Sequence, residues 1–423
     1  MFDKIKNYYG LNISSYLIIL IPVFLISGPF LPDLSLVIIV IFFLFNLYMF
    51  TSFKIFKNIF FYFFLFFFIC ILISLINSKF FQISYKPTIS YFRFGLFALA
   101  SAIIFNLNKD LPFKLAKVFM LIFFILGIDT LVQYSLGVNI LGWAVDDGNF
   151  RITSLFGEDE VLGSYVARFF PFVLSLFLFS KKFHKWKYEN YYLSFIIIIS
   201  GVISLLSGER TSLFLFIIGL ISILLTCGSI RKIFMKSLLI LLPILVTFVL
   251  VDERVKFRMY DFTLKQLGLS SESKRIVVFS ETYEGHYKIA YKMFKEKPLT
   301  GHGVKSFRKY CSKKENFIAI NACTTHPHNI YMQLLAETGI IPFLIVLSLF
   351  LLISWKLIKI SIESLILNKK NQNKDYLTLV YIFYAVNLFP IAPSGNFFNN
   401  WINIIYYLPS GYFIYLNTLK NVR

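Results

Sequence analysis

Apolar runs close to bilayer length recur down the whole chain, separated by connections that are mostly short and polar. They lie at about 12–30, 35–52, 58–77, 88–107, 116–136, 164–180, 190–207, 212–228, 235–251, 338–356, 376–392 and 401–418, many near the ~20 residues that a helix needs to cross a bilayer. The runs are apolar on every face instead of alternating, which predicts helices and excludes a membrane β-barrel. The fold class is therefore an all-α polytopic membrane protein with about twelve transmembrane helices. The chain divides into nine spans over 1–251, a long polar loop over 252–328, and three spans over 329–423. Composition agrees with this division. Mean hydropathy is +0.72, and a soluble chain with 57% hydrophobic residues lacks the polar surface to cover itself.

Charge orients the spans. The formal net charge is +20, but the cations sit in the connections and report topology; no nucleic-acid recognition motif is present. Alternate connections carry Lys54 and Lys57; Lys109 and Lys114; Lys181, Lys182, Lys185 and Lys187; Arg231, Lys232 and Lys236; then Lys356, Lys359, Lys369, Lys370 and Lys374. Connections near Pro32, Gly208 and Pro393 carry almost none. The positive-inside rule puts both termini and the lysine-rich turns in the cytoplasm, and the 252–328 loop outside. The first apolar run has no small-residue cleavage site after it, which predicts a retained span.

The outer side carries the candidate chemistry. Its long loop has 15 Lys and Arg against 8 Asp and Glu, either a plain solvated surface or a basic lid that attracts an acidic ligand. Glu281–Glu296 has helical periodicity, with Tyr283, His286, Tyr287, Ala290, Tyr291 and Phe294 on one face, which predicts an amphipathic helix over the outer membrane rim. The loop ends in Cys323-Thr-Thr-His326-Pro327-His328-Asn329. Pro327 fits the first turn of a helix, so His328 falls near a helix start, where an imidazole can act as a base near neutral pH. The bland alternative is a pair of solvated loop histidines. Cys311 and Cys323 share an oxidising compartment on this topology and are predicted to form a disulfide; the spacing of cysteines and histidines fits no ordinary zinc pattern.

Four charges fall inside or at the edges of spans, toward the outer side: Arg93, Asp129, Arg168 and Arg210. Such charges pair with one another or face a wet cavity. Arg210 is the sharpest, because the turn Ser207–Ser212 is very short and a planar guanidinium suits phosphate oxygens. Its alternative partners are Glu209 or a lipid headgroup, and Asp129 is expected to orient one of the arginines. With Arg151 from the shorter outer connection, these residues offer several cations and a base to a diphosphate on a lipid carrier.

On these residues the chain resembles the O-antigen ligase and O-antigen polymerase superfamily of bacterial membrane glycosyltransferases. His328-Asn329, nine residues and then Gly339 match the ligase-type pattern, although Pro342 stands where the family commonly has Gly, Thr or Tyr. Pro298-Leu-Thr-Gly301-His-Gly303 resembles the family's Pro-x-x-Gly-x-Gly turn, and Ser207–Ser212 its short outer turn with a functional arginine. The resemblance implies a GT-C-like fold with one large periplasmic loop between the ninth and tenth spans, in the bacterial inner membrane. It implies a role in lipopolysaccharide biosynthesis: transfer of an oligosaccharide from undecaprenyl diphosphate to a glycan or lipid A-core acceptor on the periplasmic face. In that scheme transfer inverts the anomeric centre and uses no metal, cofactor or nucleotide sugar.

The implied site has His328 as base, Arg210 as main diphosphate clamp and Arg151 assisting. Asn329 orients the base or the acceptor, Gly301 and Gly303 belong to the substrate loop, and either His286 or Arg275 replaces the family's second loop arginine. Ligase and polymerase share a donor, and the His-Asn-x9-Gly pattern leans toward the ligase type. A lipid-linked oligosaccharide flippase or other transporter is the alternative of a different class. It would place charges at the bilayer midplane and broken helices in two matching halves.

Overall fold

The computed structural model describes residues 8–50, 53–145, 150–266, 269, 279–316, 322–366 and 374–420. In chain order the helices are α1 (Leu11–Phe24), α2 (Phe30–Phe50), α3 (Ile59–Ile76), α4 (Phe81–Ser90), α5 (Phe92–Leu107), α6 (Leu111–Leu136), α7 (Leu162–Ser180), α8 (Glu189–Leu206) and α9 (Arg210–Thr226). Then follow α10 (Arg231–Val251), α11 (Glu253–Lys256), α12 (Phe262–Gln266), α13 (Glu281–Glu296), α14 (Phe307–Cys311), α15 (Ile330–Thr338), α16 (Ile340–Leu365), α17 (Asp375–Asn387) and α18 (Asn400–Lys420). Among the described residues, eight helices are long and apolar enough to cross a membrane, counting α4 and α5 as one; α1 and α9 are apolar but shorter.

Helix ends follow ordinary capping chemistry. The Asn58 side chain accepts from the Phe61 amide at 2.9 Å to start α3, Pro112 occupies the first turn of α6, and Gly137 ends that helix in the left-handed region. The centre is α7, apolar and buried on almost every side because α6, α8, α9 and α17 enclose it. At the periphery, α10 exposes Leu239, Ile240 and Leu250, and α16 exposes Leu351, Leu352 and Trp355. Outward apolar faces of that extent suit lipid as solvent.

Residues of the connections α6–α7, α8–α9, α10–α16 and α17–α18 line one cavity, so these connections lie together at one end of the helices. Three expectations are corrected there. The helix α13 forms over the residues expected, but it buries His286, Ile289, Ala290 and Met293 against Phe307, Tyr310 and Ala336, and turns Tyr291 outward. Its apolar face is therefore covered by protein rather than by the membrane rim. Among the described residues Asp129 pairs with no arginine: it accepts from the Ile140 amide at 2.8 Å and the Ser154 hydroxyl at 2.6 Å, anchoring the segment after α6. Arg93 pairs with Asp33 at 2.8 Å, away from the other arginines' cavity.

Candidate functional site

A cavity of ≈ 770 Å³ opens at the end of the helices where these connections lie. Its wall takes Arg151 and Glu158 to Glu160 from the segment before α7, Ser164 and Arg168 from α7, and Glu209 to Thr211 from the start of α9. Tyr283 comes from α13, His326 and His328 from the segment before α15, and Pro393 to Gly395 from the segment before α18. Arg151, Arg210 and His328, far apart in sequence, thus share one volume.

Arg210 is the first residue of α9, and the preceding Glu209 is committed elsewhere. The Glu209 carboxylate accepts from the Gly163 amide at 2.7 Å and from the Ser164 amide and hydroxyl, so it caps the start of α7. Burial pushes its carboxyl upward, while the Ser164 and Gly163 donors pull it back. Among the described residues no carboxylate pairs with Arg210, whose guanidinium stacks over Phe262 at 4.9 Å. The Arg258 Nε supports the turn by donating to the Gly208 carbonyl at 3.1 Å. Arg168 is buried and donates to Asn387 Oδ1 at 3.1 Å, and Arg151 forms an ion pair with Glu160.

The two histidines differ in how their rings are used. His326 is half-committed to the scaffold: Nε2 donates to the Ser394 carbonyl at 3.3 Å, and Nδ1 then accepts from the Thr325 hydroxyl at 2.9 Å. Burial first, and then His328, hold its pKa down at about 3. His328 has no hydrogen bond to either ring nitrogen among the described residues; its ring lies 4.2 Å from that of His326 and 5.3 Å from that of His286. Burial and then His286 lower it to about 4, so at neutral pH it is an uncharged imidazole able to accept a proton. Its backbone is left-handed, with φ 53°, and its carbonyl accepts from the Ser394 amide at 2.9 Å. A non-glycine residue held there is a local strain of the kind found at functional sites.

The sequence motifs resolve into cavity residues and supports. Asn329 is the N-cap of α15: Oδ1 accepts from the Tyr331 and Met332 amides at 3.0 and 3.1 Å, and Nδ2 donates to the Pro390 carbonyl. It lies off the cavity wall and caps the helix. Helix α15 starts at Ile330, so Pro327 precedes the cap and is not in the first turn as expected.

The nine residues of the motif are one helix, stopped by Gly339 at φ 84°, where a Cβ would lie 2.2 Å from the Leu299 carbonyl oxygen. Gly301 and Gly303 are supports too: the His302 and Gly303 amides donate to the Ala336 and Glu337 carbonyls, and Gly303 packs on Ser78 and Ser84. Glu337, fully buried, accepts from the Lys305 and Phe307 amides and from Gln333, and burial lifts its carboxyl to about 7 against those donors. Pro342 is tolerated because it occupies the first turn of α16, where no amide donor is needed.

His286 is buried behind the His328 ring and does not line the cavity. Arg275 lies outside the described residues. Cys311 and Cys323 form a disulfide with a Cα–Cα distance of 5.3 Å, tying α14 to the segment that leads to His326. Among the described residues no group of three His, Cys, Asp or Glu could hold a metal. Sequence reasoning counted Arg168 among the outer cations without giving it a role, and left Tyr283 and the 393–395 segment out of the site. Arg168 had a signal, a charge near the outer end of a span; the 393–395 segment had none, since its place depends on how α17 and α18 pack.

No curated protein matches the chain. Residues 195–347, which hold Arg210, the 298–307 turn and His328 through Gly339, match the family model described as O-Antigen ligase, so this part of the chain is similar to that family.

Proposed function

We propose that the protein transfers an oligosaccharide from undecaprenyl diphosphate to a glycan or lipid A-core acceptor within this cavity, facing the periplasm. One observation carries the reading. A single volume contains an arginine with no carboxylate partner and a histidine with open ring nitrogens, among the described residues.

The acceptor hydroxyl oxygen attacks the anomeric carbon and forms the new glycosidic bond. The bond from that carbon to the diphosphate oxygen breaks on the opposite face, which inverts the centre. The hydroxyl proton passes to His328, and the leaving diphosphate charge falls on Arg210, with Arg151 and Arg168 nearby. A bound diphosphate raises the basicity of His328 by favouring its imidazolium form, so the base strengthens when donor is present. The scheme asks for no metal or cofactor. An inner-membrane location with cytoplasmic termini is part of this reading, and the clustering of lysine-rich turns in alternate connections supports it.

The test is purified full-length protein with a lipid-diphosphate-linked oligosaccharide and candidate acceptors. Glycosylated lipid A-core identifies a ligase, and longer glycan on the carrier identifies a polymerase. Movement of the lipid across vesicles without bond formation would sink the reading in favour of a flippase.

A further inference from the structure

We propose that Glu160 is a built-in competitor for the diphosphate: its carboxylate occupies the Arg151 fork when the cavity is empty, yields it to the donor, and reclaims it to expel the spent carrier. The inference rests on the reading of the cavity as a diphosphate site. The three arginines that line the cavity among the described residues are in different states. Arg168 is buried on Asn387, Arg210 has no carboxylate among the described residues, and Arg151 is held by Glu160. The nearby Glu209 is already used to cap α7. Glu160 is thus the carboxylate in direct contention for a cavity arginine.

A guanidinium fork binds carboxylate and phosphate oxygens in the same planar geometry, so the two exchange one for one. The Arg151 and Glu160 side chains are 28% and 40% exposed, and an ion pair that open to water is weak enough to be displaced. A diphosphate engages Arg210 with one phosphate and gains Arg151 with the other. A monophosphate satisfied at Arg210 has nothing left with which to displace Glu160. Once Glu160 is displaced, it stands beside the product anion with Glu158 and Asp159 on the same wall, and their repulsion favours release. Glu160 is therefore a positioning residue that sets selectivity for diphosphate over monophosphate and the rate of product departure.

The test uses the full-length protein in detergent, with farnesyl diphosphate and farnesyl monophosphate as probes. Glu160→Gln should bind the diphosphate about fivefold more tightly, the scale of one exposed ion pair, and leave monophosphate affinity unchanged. In turnover the same variant should lower KM and kcat together, because release slows; a merely structural role would not lower KM. Glu160→Asp, which keeps the charge, should behave like the wild type. Unchanged or weaker diphosphate binding in Glu160→Gln would overturn the proposal. If Arg210→Ala abolishes binding while Glu160→Gln matches the wild type, only the role of Glu160 fails. If neither wild type nor Glu160→Gln binds the diphosphate, the cavity reading fails with it.

Discussion

The two ends of α15, a helix of nine residues, are held in different ways. At the N-terminal end, His328 is held in a left-handed conformation with its ring on the cavity and no hydrogen bond to its nitrogens among the described residues. At the C-terminal end, Glu337 receives three donors and Gly339 stops the helix against Leu299, so polar groups there are satisfied within the protein. The spacing of the motif is thus the length of a strut. It sets His328 at a fixed distance from the 298–307 turn that grips the strut's far end, and of the two ends only that of His328 lines the cavity.

The contrast is sharpest in turnover. His328→Ala and Arg210→Ala should each lower transfer by about 10²–10³-fold, with thermal unfolding in detergent little changed. Arg210→Lys should fail as well, since a point charge does not reproduce the fork. At the other end the effect should fall on stability. Glu337→Ala strands buried donors and should cost about 3 kcal/mol, read as a lowered melting temperature. Gly301→Ala and Gly339→Ala meet backbone at 2.4 and 2.2 Å in left-handed positions and should each cost about 2 kcal/mol or more.

A smaller effect is expected from pH. His326 and His328 keep pKa values of about 3 and 4 when folded, against an ordinary 6.5. The unfolded chain takes up these protons from pH 6.5 downward and the folded chain does not. Stability should therefore be fully present above pH 6.5 and fall as pH drops toward 4 and 3. A bound lipid diphosphate should blunt that loss, because it favours the protonated imidazole. The smallest effect belongs to Arg93→Ala. Its guanidinium is paired with Asp33 outside the cavity, so turnover should change by less than about twofold.

Long apolar helices were legible because a bilayer demands an apolar length that local sequence records, and eight of the twelve expected spans are helices of that length among the described residues. The place of Arg210 on the cavity wall was legible because a charge on so tight a turn between apolar runs needs a reason. What stayed hidden depended on partners distant in sequence. Asn329 reads equally well as a ligand or as a cap until the Tyr331 and Met332 amides are seen to point at it. The periodicity of α13 marked an apolar face but could not say that α14 and α15, and not lipid, would cover it. Glu209 sits beside Arg210 in sequence, yet its carboxylate goes to α7, an arrangement that only packing specifies.

The most direct measurement separates binding from chemistry in single-turnover transfer from a lipid-diphosphate-linked oligosaccharide. His328→Ala should still bind the donor but transfer about 10²-fold or more slowly, while Arg210→Ala should lose donor binding itself. Near-normal transfer by His328→Ala would contradict the assignment of the base and, with it, of the cavity as the place where the bond is made.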